Sequence, residues 1–459
     1  MTLQEYLDHA DKARALEHIL SQAKKLNKNN PALLRFEDDY IATHASWAFK
    51  KSFAGAPIVI KDNILLRDTI SSFGSKIAQD YRAPYSAHVV EQLEEAGFLV
   101  IAKATMDEFA MGWSGENSPF AYPHNVYDAS RVSWGSSSGS AVAVASKQVA
   151  VALGTDTGWS VRQPAAFNGI YGLKPSYGAL SRYGVQAMAS SFDQVGIFAQ
   201  NLEDMQQVFE VIAGYDERDA SSKAYEFDHR LDTLQGLKIG IPQQYFAQGL
   251  DPLIDQSTRK ALDRYAAQGA ELVELDLPLI DAGVSVYYTL VSAEVATNLA
   301  RFDGLRFGTQ ADTSAFAHHD EYLQSVRSSF GPEVKRRILM GNYVLSALEY
   351  EWLYVKASSL RAHITQNMLE TLKRVDIIAW PTSPVLPWHT GAKSDPVSAY
   401  LADAYTVIAN LTGLPALSLP IGLVNNNGQE LPVWLQLMGG LGSDKFLLDC
   451  AGFFANSSS

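Results

Sequence analysis

The spacing of apolar and polar positions predicts helices and strands in succession along the first hundred residues. Over residues 3–26 the apolar positions recur at helical spacing with charged residues between them, so we expect an amphipathic helix at the start. A short apolar run at 57–60 predicts a buried strand, a helical pattern covers 86–96, and a second apolar run covers 98–104. A strand, a helix and a strand in that order indicate an α/β fold.

Apolar runs of strand length continue through the rest of the chain, with helical patterns between several of them. They lie at residues 149–153, 237–241, 376–379, 416–421 and 433–438. No internal repeat or low-complexity linker divides the chain, so a single domain over residues 1–459 is expected. A helical segment at about 1–50 would pack on it, and the polar stretch 216–232 would form a surface excursion.

Composition excludes several classes of protein. The formal net charge is −13 and no basic run occurs, which argues against nucleic-acid binding by this chain alone. The single cysteine, Cys450, rules out an internal disulfide and fits a reducing compartment. No signal peptide and no apolar run of membrane-spanning length are recognised, so we expect a cytoplasmic protein with no membrane contact. The group at 318–320 lacks the spacing of a zinc site, and no metal is expected.

Two serine-glycine clusters and one lysine provide the candidate chemistry. Lys61 closes the apolar run at 57–60, and the clusters Gly135-Ser136-Ser137-Ser138-Gly139 and 154–160 follow it. A buried lysine can lose its proton near neutral pH and can then activate a serine hydroxyl, so these residues could supply nucleophile, relay and base without histidine. By itself, however, Lys61 could equally be a lysine that leaves the sheet for solvent.

The glycine cluster that ends at Ser160 would let several backbone N–H groups converge on one point, as an oxyanion hole requires. A plain turn is the alternative. The first cluster also matches the pattern Gly-x-Ser-x-Gly, which would make Ser137 the nucleophile of an α/β-hydrolase. We reject that interpretation because residues 126–133 are predicted to be a loop, whereas the motif needs a strand there. A flexible serine linker is disfavoured by the apolar run after Ser140.

These motifs resemble the amidase signature family. The resemblance is carried by Ile60-Lys61-Asp62-Asn63, by the cluster at 135–140 and, most specifically, by 154–175. It extends over nearly the whole chain through segments at 107–112, 181–184, 301–304, 334–338 and 411–415. Within the family, the chain is most similar to the A subunits of tRNA-dependent amidotransferases. The implied fold is α/β, with a mixed central β-sheet surrounded by α-helices.

The resemblance also implies a mechanism. Ser160 would attack an amide carbonyl, Ser136 would relay the proton, and neutral Lys61 would be the base. The oxyanion would face the backbone N–H groups of Thr157, Gly158, Trp159 and Ser160. The implied substrate is glutamine, whose two charged groups would be bound by Arg337 and Asp403, and Tyr287 matches a residue that lines the pocket.

The same resemblance implies partners. Ammonia released from glutamine would pass through a channel to a B subunit, which binds ATP with Mg²⁺ and contacts the misacylated glutamyl-tRNA(Gln), and a small C subunit would clasp the pair. No cofactor is expected in this chain. Two alternatives stay open: a stand-alone amidase that acts on another small amide, and a catalytically silent scaffold if Trp159 blocks the site.

Tryptophan occupies several positions at which the family has glycine. Trp134, Trp159 and Trp434 stand at such positions, and Trp380 stands where glycine is common. At Trp159 the indole is expected to crowd the oxyanion segment, with a strain of about 1–3 kcal/mol if the backbone needs a positive φ. Because tryptophan and glycine share no shape or chemistry, we hypothesise that these are UGA codons, which some bacterial lineages read as glycine.

The gene sequence tests this hypothesis directly. We expect UGA codons at positions 134, 159 and 434, and sequencing the gene at these three positions is the measurement. The codons of Trp47 and Trp352, where the family is variable, provide the comparison. UGG codons at 134, 159 and 434 would contradict the hypothesis and establish tryptophan at all three positions.

Overall fold

The computed structural model of the chain describes residues 1–227, 231–246, 249–310, 312–392 and 402–456. Its helices are α1 Leu3–Asp8, α2 Lys12–Asn29, α3 Asp38–Ala48, α4 His88–Ala96, α5 Ser138–Ala145, α6 Arg162–Phe167, α7 Leu202–Ile212, α8 Pro252–Ala267, α9 Gly283–Leu299, α10 His319–Arg327, α11 Pro332–Val344, α12 Lys356–Thr371, α13 Val407–Thr412 and α14 Asp444–Asn456. Its strands are β1 Leu33–Phe36, β2 Ala56–Lys61, β3 Phe98–Ala104, β4 Val151–Asp156, β5 Tyr171–Lys174, β6 Gln194–Ala199, β7 Lys238–Pro242, β8 Glu271–Leu275, β9 Ile377–Trp380, β10 Ala416–Asn426 and β11 Gln429–Met438. Short 3₁₀ helices and one π-helical turn at Glu351–Val355 complete the elements.

All of these strands belong to one sheet. Its 11 strands run in the order β1-β3-β2-β4-β6-β5-β10-β11-β9-β7-β8. The pairs of β2 with β3 and β4, and of β7 with β8 and β9, are parallel, whereas the remaining neighbours are antiparallel. The prediction of an α/β fold with a mixed central sheet and surrounding helices is therefore confirmed.

The sheet includes strands that the sequence pattern missed. They are β1, β5, β6 and β8. Two of these strands are only 4 residues long, and β8 carries glutamate at two of its positions and has only its last residue buried. These three strands lack the continuous apolar run of a buried strand, so only their pairing with neighbours defines them, whereas β6 is fully buried and its apolar run was overlooked.

The chain begins with two helices where the sequence analysis expected one. Helix α1 ends at Asp8, and the extended backbone of His9 separates it from α2. The side chain of Asp11 accepts a hydrogen bond from the Arg14 N–H and so caps the second helix. Capping at Asp11 thus interrupts a periodicity that continues across the break.

The predicted domain boundaries stay a prediction, although strands from Leu33 to Met438 share the one sheet. Of the expected surface excursion, residues 216–227 contain neither helix nor strand, and residues 228–230 lie outside the described residues. The segment Pro278–Leu299 is long and apolar enough to cross a membrane by length and composition, which the sequence analysis did not recognise. Within the protein, 61% of its apolar window is buried, and its helix α9 packs against α11.

The parallel strands β2 and β4 bring the candidate residues together. Lys61 is the last residue of β2, and Asp156 is the last residue of β4. The two strands pair in parallel from Ile58 and Val151 onward, so their ends lie side by side. Ser136 lies in the loop that leads into α5, and Ser160 lies in the turn between β4 and α6. Since the carboxyl ends of parallel neighbours meet at one edge of a sheet, the three residues converge there.

Candidate active site

Lys61 is fully buried and surrounded by hydroxyl groups. Its Nζ lies 2.7 Å from Ser136 Oγ and 2.9 Å from Ser137 Oγ. On the other side, Thr155 Oγ1 lies 2.9 Å away, and its backbone carbonyl lies 3.5 Å away. The structure therefore brings Lys61 and Ser136 into direct hydrogen-bonding contact, and the alternative of a solvent-exposed Lys61 is wrong.

Burial makes Lys61 a plausible proton acceptor near neutral pH. Desolvation lowers its pKa to about 7, because a low-dielectric environment disfavours the ammonium form. The carboxyl groups of Asp107, Asp156 and Asp193 oppose this effect. Burial also raises the pKa of Asp107 to about 7 and that of Asp193 to about 6, which weakens their opposition near neutrality.

The turn that carries Ser160 is held by a buried ion pair. Asp156 and Arg162 are both fully buried, and Arg162 Nη2 lies 3.0 Å from Asp156 Oδ1. Asp156 also accepts the Val161 N–H, while Arg162 donates to the Gly158 carbonyl at 2.8 Å. These bonds cross the turn from both ends and fix the path of the backbone between β4 and α6.

Four consecutive backbone N–H groups in this turn are available to a ligand. Among the residues that the structure describes, no protein acceptor takes the N–H groups of Thr157, Gly158, Trp159 and Ser160. Because buried N–H groups almost always have a partner, this arrangement suits an anion or a developing oxyanion. The side chain of Thr157 is fixed separately, since its hydroxyl donates to Asp193 Oδ1 at 2.7 Å.

The two serines of the predicted triad are both buried but are not joined by a hydrogen bond. Ser160 is 3% exposed and Ser136 is fully buried. No hydrogen bond links their hydroxyl groups within the described part of the chain. Proton transfer between them would need the Ser160 side chain to turn, and such contacts often tighten only when substrate binds.

The loop before Gly135 bears on the rejected α/β-hydrolase interpretation. Residues 126–133 contain no strand beyond isolated bridges, as predicted. The Ser137 hydroxyl is engaged by Lys61 and by the Thr155 backbone, so it is held inside the sheet edge. Neither feature fits a nucleophile on a strand-to-helix elbow.

Opposite charges flank Tyr288 beside this turn. The Tyr288 hydroxyl donates to Asp403 Oδ2 at 2.6 Å, and the Arg337 guanidinium lies 5.3 Å from the centre of its ring. Arg337 is 1% exposed, and its Nε donates to Glu333 Oε1 at 2.8 Å. Its Nη1 and Nη2 have no acceptor among the described residues. A buried guanidinium edge without a partner is suited to a carboxylate ligand.

Tyr287 and Trp159 form the wall between the turn and these charges. A Cβ placed on Gly158 would lie 2.6 Å from the Tyr287 hydroxyl, so only glycine permits this close approach. The Trp159 indole lies 5.5 Å from the Tyr287 ring and 6.2 Å from the Tyr288 ring, centre to centre, and its Nε1 donates to the Gly112 carbonyl. The structure places Tyr287 against the turn, and its role in lining a substrate pocket stays a prediction.

The strain expected at Trp159 is not found, because its φ is negative. Trp134 is the tryptophan with a positive φ, 63°, which is a left-handed conformation that glycine adopts without cost. Trp134 and Trp434 are fully buried, and their Nε1 atoms have no partner among the described residues. Trp380, in contrast, donates from Nε1 to the Tyr405 carbonyl at 2.7 Å. The glycine hypothesis remains a hypothesis, with its strongest backbone support at Trp134.

The sequence analysis missed several residues that shape this site. Thr155 and Asn63 contact each other beside Lys61, and Tyr288 lies between the two charged side chains. Asp156 and Arg162 fall within the motif at 154–175, but spacing alone did not reveal that they pair. An acidic and a basic residue six positions apart around a glycine turn is the signal that could have indicated this pair.

Comparisons with known proteins establish the family of the chain. The Amidase family matches residues 14–448, and the chain belongs to this family. The A subunit of glutamyl-tRNA(Gln) amidotransferase from Symbiobacterium thermophilum is 43% identical over 443 residues, covering 95% of this chain and 87% of the relative. The protein of the same name from Akkermansia muciniphila is 42% identical, covering 92% and 91%. The crystal structure of the corresponding protein from Thermotoga maritima superposes with a TM-score of 0.81 at 33% identity, covering 98% and 93%.

The buried ion pair generates a stability prediction. Asp156→Ala leaves the Arg162 guanidinium buried without its carboxylate, so we expect a loss of about 3–5 kcal/mol in the free energy of unfolding. Urea denaturation followed by fluorescence measures it. Asp255→Ala is the matched control, because its pair with Arg259 has a similar distance, 2.8 Å against 3.0 Å, but side chains that are 35% and 53% exposed, and it should cost less than about 1 kcal/mol. Equal effects of the two substitutions would contradict the prediction.

Proposed function

We propose that this protein hydrolyses glutamine and supplies the ammonia for conversion of glutamyl-tRNA(Gln) to glutaminyl-tRNA(Gln). The observation that carries the proposal is the pair of opposite charges beside the Ser160 turn, Arg337 on one side of Tyr288 and Asp403 on the other. A free amino acid with a side-chain amide has an α-carboxylate and an α-ammonium at fixed separation, and the pair of Arg337 and Asp403 would recognise both. The names of the relatives with 42–43% identity support the same activity.

Arg337 would bind the α-carboxylate through its two Nη atoms, and Asp403 would bind the α-ammonium. Both side chains are buried, so each charge interacts strongly with a ligand charge that replaces water. The hydroxyl of Tyr287 lies above Gly158 and would limit the space beside the amide group. These contacts would direct the side-chain amide of glutamine toward Ser160.

The reaction would begin when Ser160 Oγ attacks the amide carbon. Its proton would pass to Ser136, while the Ser136 proton passes to neutral Lys61, with which Ser136 is in contact at 2.7 Å. The carbonyl oxygen becomes an oxyanion, and the N–H groups of Thr157, Gly158, Trp159 and Ser160 would stabilise it. In enzymes with such an oxyanion hole, loss of one hydrogen-bond donor typically lowers kcat by about 100- to 1,000-fold.

The tetrahedral intermediate would then collapse. The C–N bond breaks, the proton returns from Lys61 through Ser136 to the leaving nitrogen, and ammonia departs. An acyl-enzyme on Ser160 remains. Water would attack this ester with the same base, and glutamate would leave with Ser160 restored.

The rest of the proposal concerns partners and place. As the A component of such an amidotransferase, the protein would work with a B subunit, which binds ATP and Mg²⁺ and contacts the tRNA, and with a small C subunit. Its net charge of −13 fits a chain that leaves the tRNA phosphates to its partner. We place the complex in the cytoplasm.

Ammonia release from glutamine tests the activity. The chain with Trp159 is assayed with its partner subunits beside Trp159→Gly, and Ser160→Ala is the blank. Activity in both forms, or in the glycine form alone, supports the proposal. If only Trp159→Gly is active, the indole beside Tyr287 blocks the substrate. The protein is then a scaffold if position 159 is tryptophan, and an active enzyme if the codon encodes glycine. No activity above the blank in either form would refute the glutamine assignment.

Substitution of Arg337 distinguishes a glutamine enzyme from an amidase for other small amides. We expect Arg337→Met to lower kcat/KM for glutamine roughly 10- to 100-fold, since an ionic hydrogen bond contributes about 1.5–3 kcal/mol. Hydrolysis of a neutral amide such as propionamide should be unchanged. Arg336→Met is the matched control, because Arg336 contacts the same Glu333 but is 44% exposed. Equal losses with glutamine and the neutral amide would favour the stand-alone amidase.

The pKa of Lys61 sets the expected pH dependence. Only the neutral amine has a lone pair, so kcat/KM should fall about tenfold per pH unit below pH 7 and level off above it. Rates of ammonia release between pH 5.5 and 8.5 measure this, with Lys61→Met as the blank. A rate that is constant down to pH 5.5 would show that a lysine with this pKa is not the base.

A further inference from the structure

Three hydroxyl oxygens lie close to the nitrogen of Lys61. They belong to Ser136, Ser137 and Thr155 at 2.7–2.9 Å, and the Thr155 backbone carbonyl is a more distant acceptor at 3.5 Å. A protonated lysine fills all three with N–H bonds. A neutral lysine has only two N–H bonds, so one of the three directions must hold the lone pair.

The hydrogen bonds of Ser137 determine its role toward Lys61. Its hydroxyl donates to the Thr155 carbonyl at 3.2 Å and accepts the Thr155 N–H at 3.3 Å. Its single hydrogen is therefore already used. Toward Lys61 the Ser137 oxygen can only accept, so it takes one of the two N–H bonds of the neutral amine.

Thr155 is the second neighbour and is held from two sides. Its backbone lies in β4, paired with Val195 of β6, so the position of its Cβ does not depend on its own side chain. Its Oγ1 receives a hydrogen bond from Asn63 Nδ2 at 3.1 Å. Asn63 is 2% exposed and makes no direct contact with Nζ among the described hydrogen bonds.

We propose that Asn63 and Thr155 are positioning residues, which hold the second N–H of neutral Lys61 so that its lone pair faces Ser136. Ser137 takes the first N–H, and Thr155, anchored by Asn63, takes the other. The direction that remains is toward Ser136, which is also the shortest of the three contacts. The proposal rests on the proposed function for its glutamine assay.

This arrangement would hold the neutral amine of Lys61 in one orientation, with its lone pair toward Ser136, instead of letting it rotate. Without the Thr155 hydroxyl, an N–H could point at Ser136 and the lone pair could point elsewhere, and proton transfer would wait for rotation. In the described part of the structure, Thr155 and Asn63 have no hydrogen bond to Arg337 or Asp403, the side chains proposed to bind the charged groups of the substrate. Substitution of Thr155 or Asn63 should therefore leave substrate binding unchanged. The loss should therefore lie in kcat and not in KM.

Thr155→Val tests the hydroxyl with almost no change in shape, and Thr155→Ser restores the hydroxyl as the matched control. With glutamine we expect the valine variant to lose roughly 10- to 100-fold in kcat at unchanged KM, and the serine variant to recover most of it. Equal kcat for wild type and Thr155→Val would overturn the proposal. The same would follow if the serine variant failed as badly as the valine variant.

A double-mutant cycle tests whether Asn63 acts through Thr155. Asn63→Ala should reduce kcat by a smaller factor than Thr155→Val does. The double variant should be no slower than Thr155→Val alone, because the anchor has nothing left to hold. Losses that multiply would show that Asn63 acts independently and would refute its positioning role.

The pH profile separates positioning from general damage. The Thr155 hydroxyl accepts from the ammonium, so its removal destabilises the charged form and should move the acid limb to lower pH in Thr155→Val but not in Thr155→Ser. The carboxyl groups that act on Lys61, those of Asp107, Asp156 and Asp193, are the same in all variants. A lower kcat with an unmoved acid limb would indicate structural damage and would contradict the proposal.

A second readout does not depend on glutamine. Phenylmethylsulfonyl fluoride should sulfonylate Ser160 at a rate that follows base orientation, and intact mass measures it, with Ser160→Ala as the blank. The labelling rate is measured in two backgrounds, the chain with Trp159 and the variant Trp159→Gly. In each background, the protein with Thr155 is compared with Thr155→Val. Slower labelling in Thr155→Val supports the inference even if glutamine is not hydrolysed, and then the proposed function alone fails. Equal labelling, or none in either background, overturns the inference.

Discussion

The site depends first on the buried ion pair between Asp156 and Arg162. An arginine without solvent is stable only if its donors are satisfied, and here Asn410, Gln436 and two backbone carbonyls share them with the aspartate. Burial alone would raise the pKa of Asp156, but Arg162 holds that pKa below its usual range. The pair is therefore ionised at neutral pH. It ties the end of β4 to the start of α6 and so places the turn that lies between them.

Burial has opposite consequences at two neighbouring cations. Arg162 stays charged because a carboxylate compensates it, whereas Lys61 contacts only neutral hydroxyl and carbonyl groups, and its pKa falls to about 7. One sheet edge thus contains a permanent charge that shapes the backbone and a titratable amine. Arg337 is a third case, since Glu333 compensates its charge but two of its nitrogens still lack acceptors among the described residues.

The four tryptophans at expected glycine positions differ in whether the indole N–H has an acceptor and in their backbone conformation. Trp380 has its indole donor satisfied, which is how a large aromatic residue normally enters a core. Trp134 and Trp434 are equally buried, but their indole donors lack partners among the described residues, and Trp134 also has the backbone conformation of a glycine. Trp159 is well packed and unstrained, so its consequence is the volume it fills beside Tyr287 and not a cost in the backbone.

The sequence by itself determined the α/β class and the longer buried strands, and it singled out Lys61, Ser136 and Ser160 as candidates, because apolar runs and glycine-rich motifs are local signals. It did not reveal the short strands, which are defined by pairing with neighbouring strands, or the break at His9, which is fixed by the Asp11 cap of α2. Only the tertiary structure decided what surrounds Lys61, since its neighbours come from strands and loops far apart in the chain. The orientation of an amine and the compensation of a buried charge depend on distances across the sheet, and no periodicity along the chain encodes those distances.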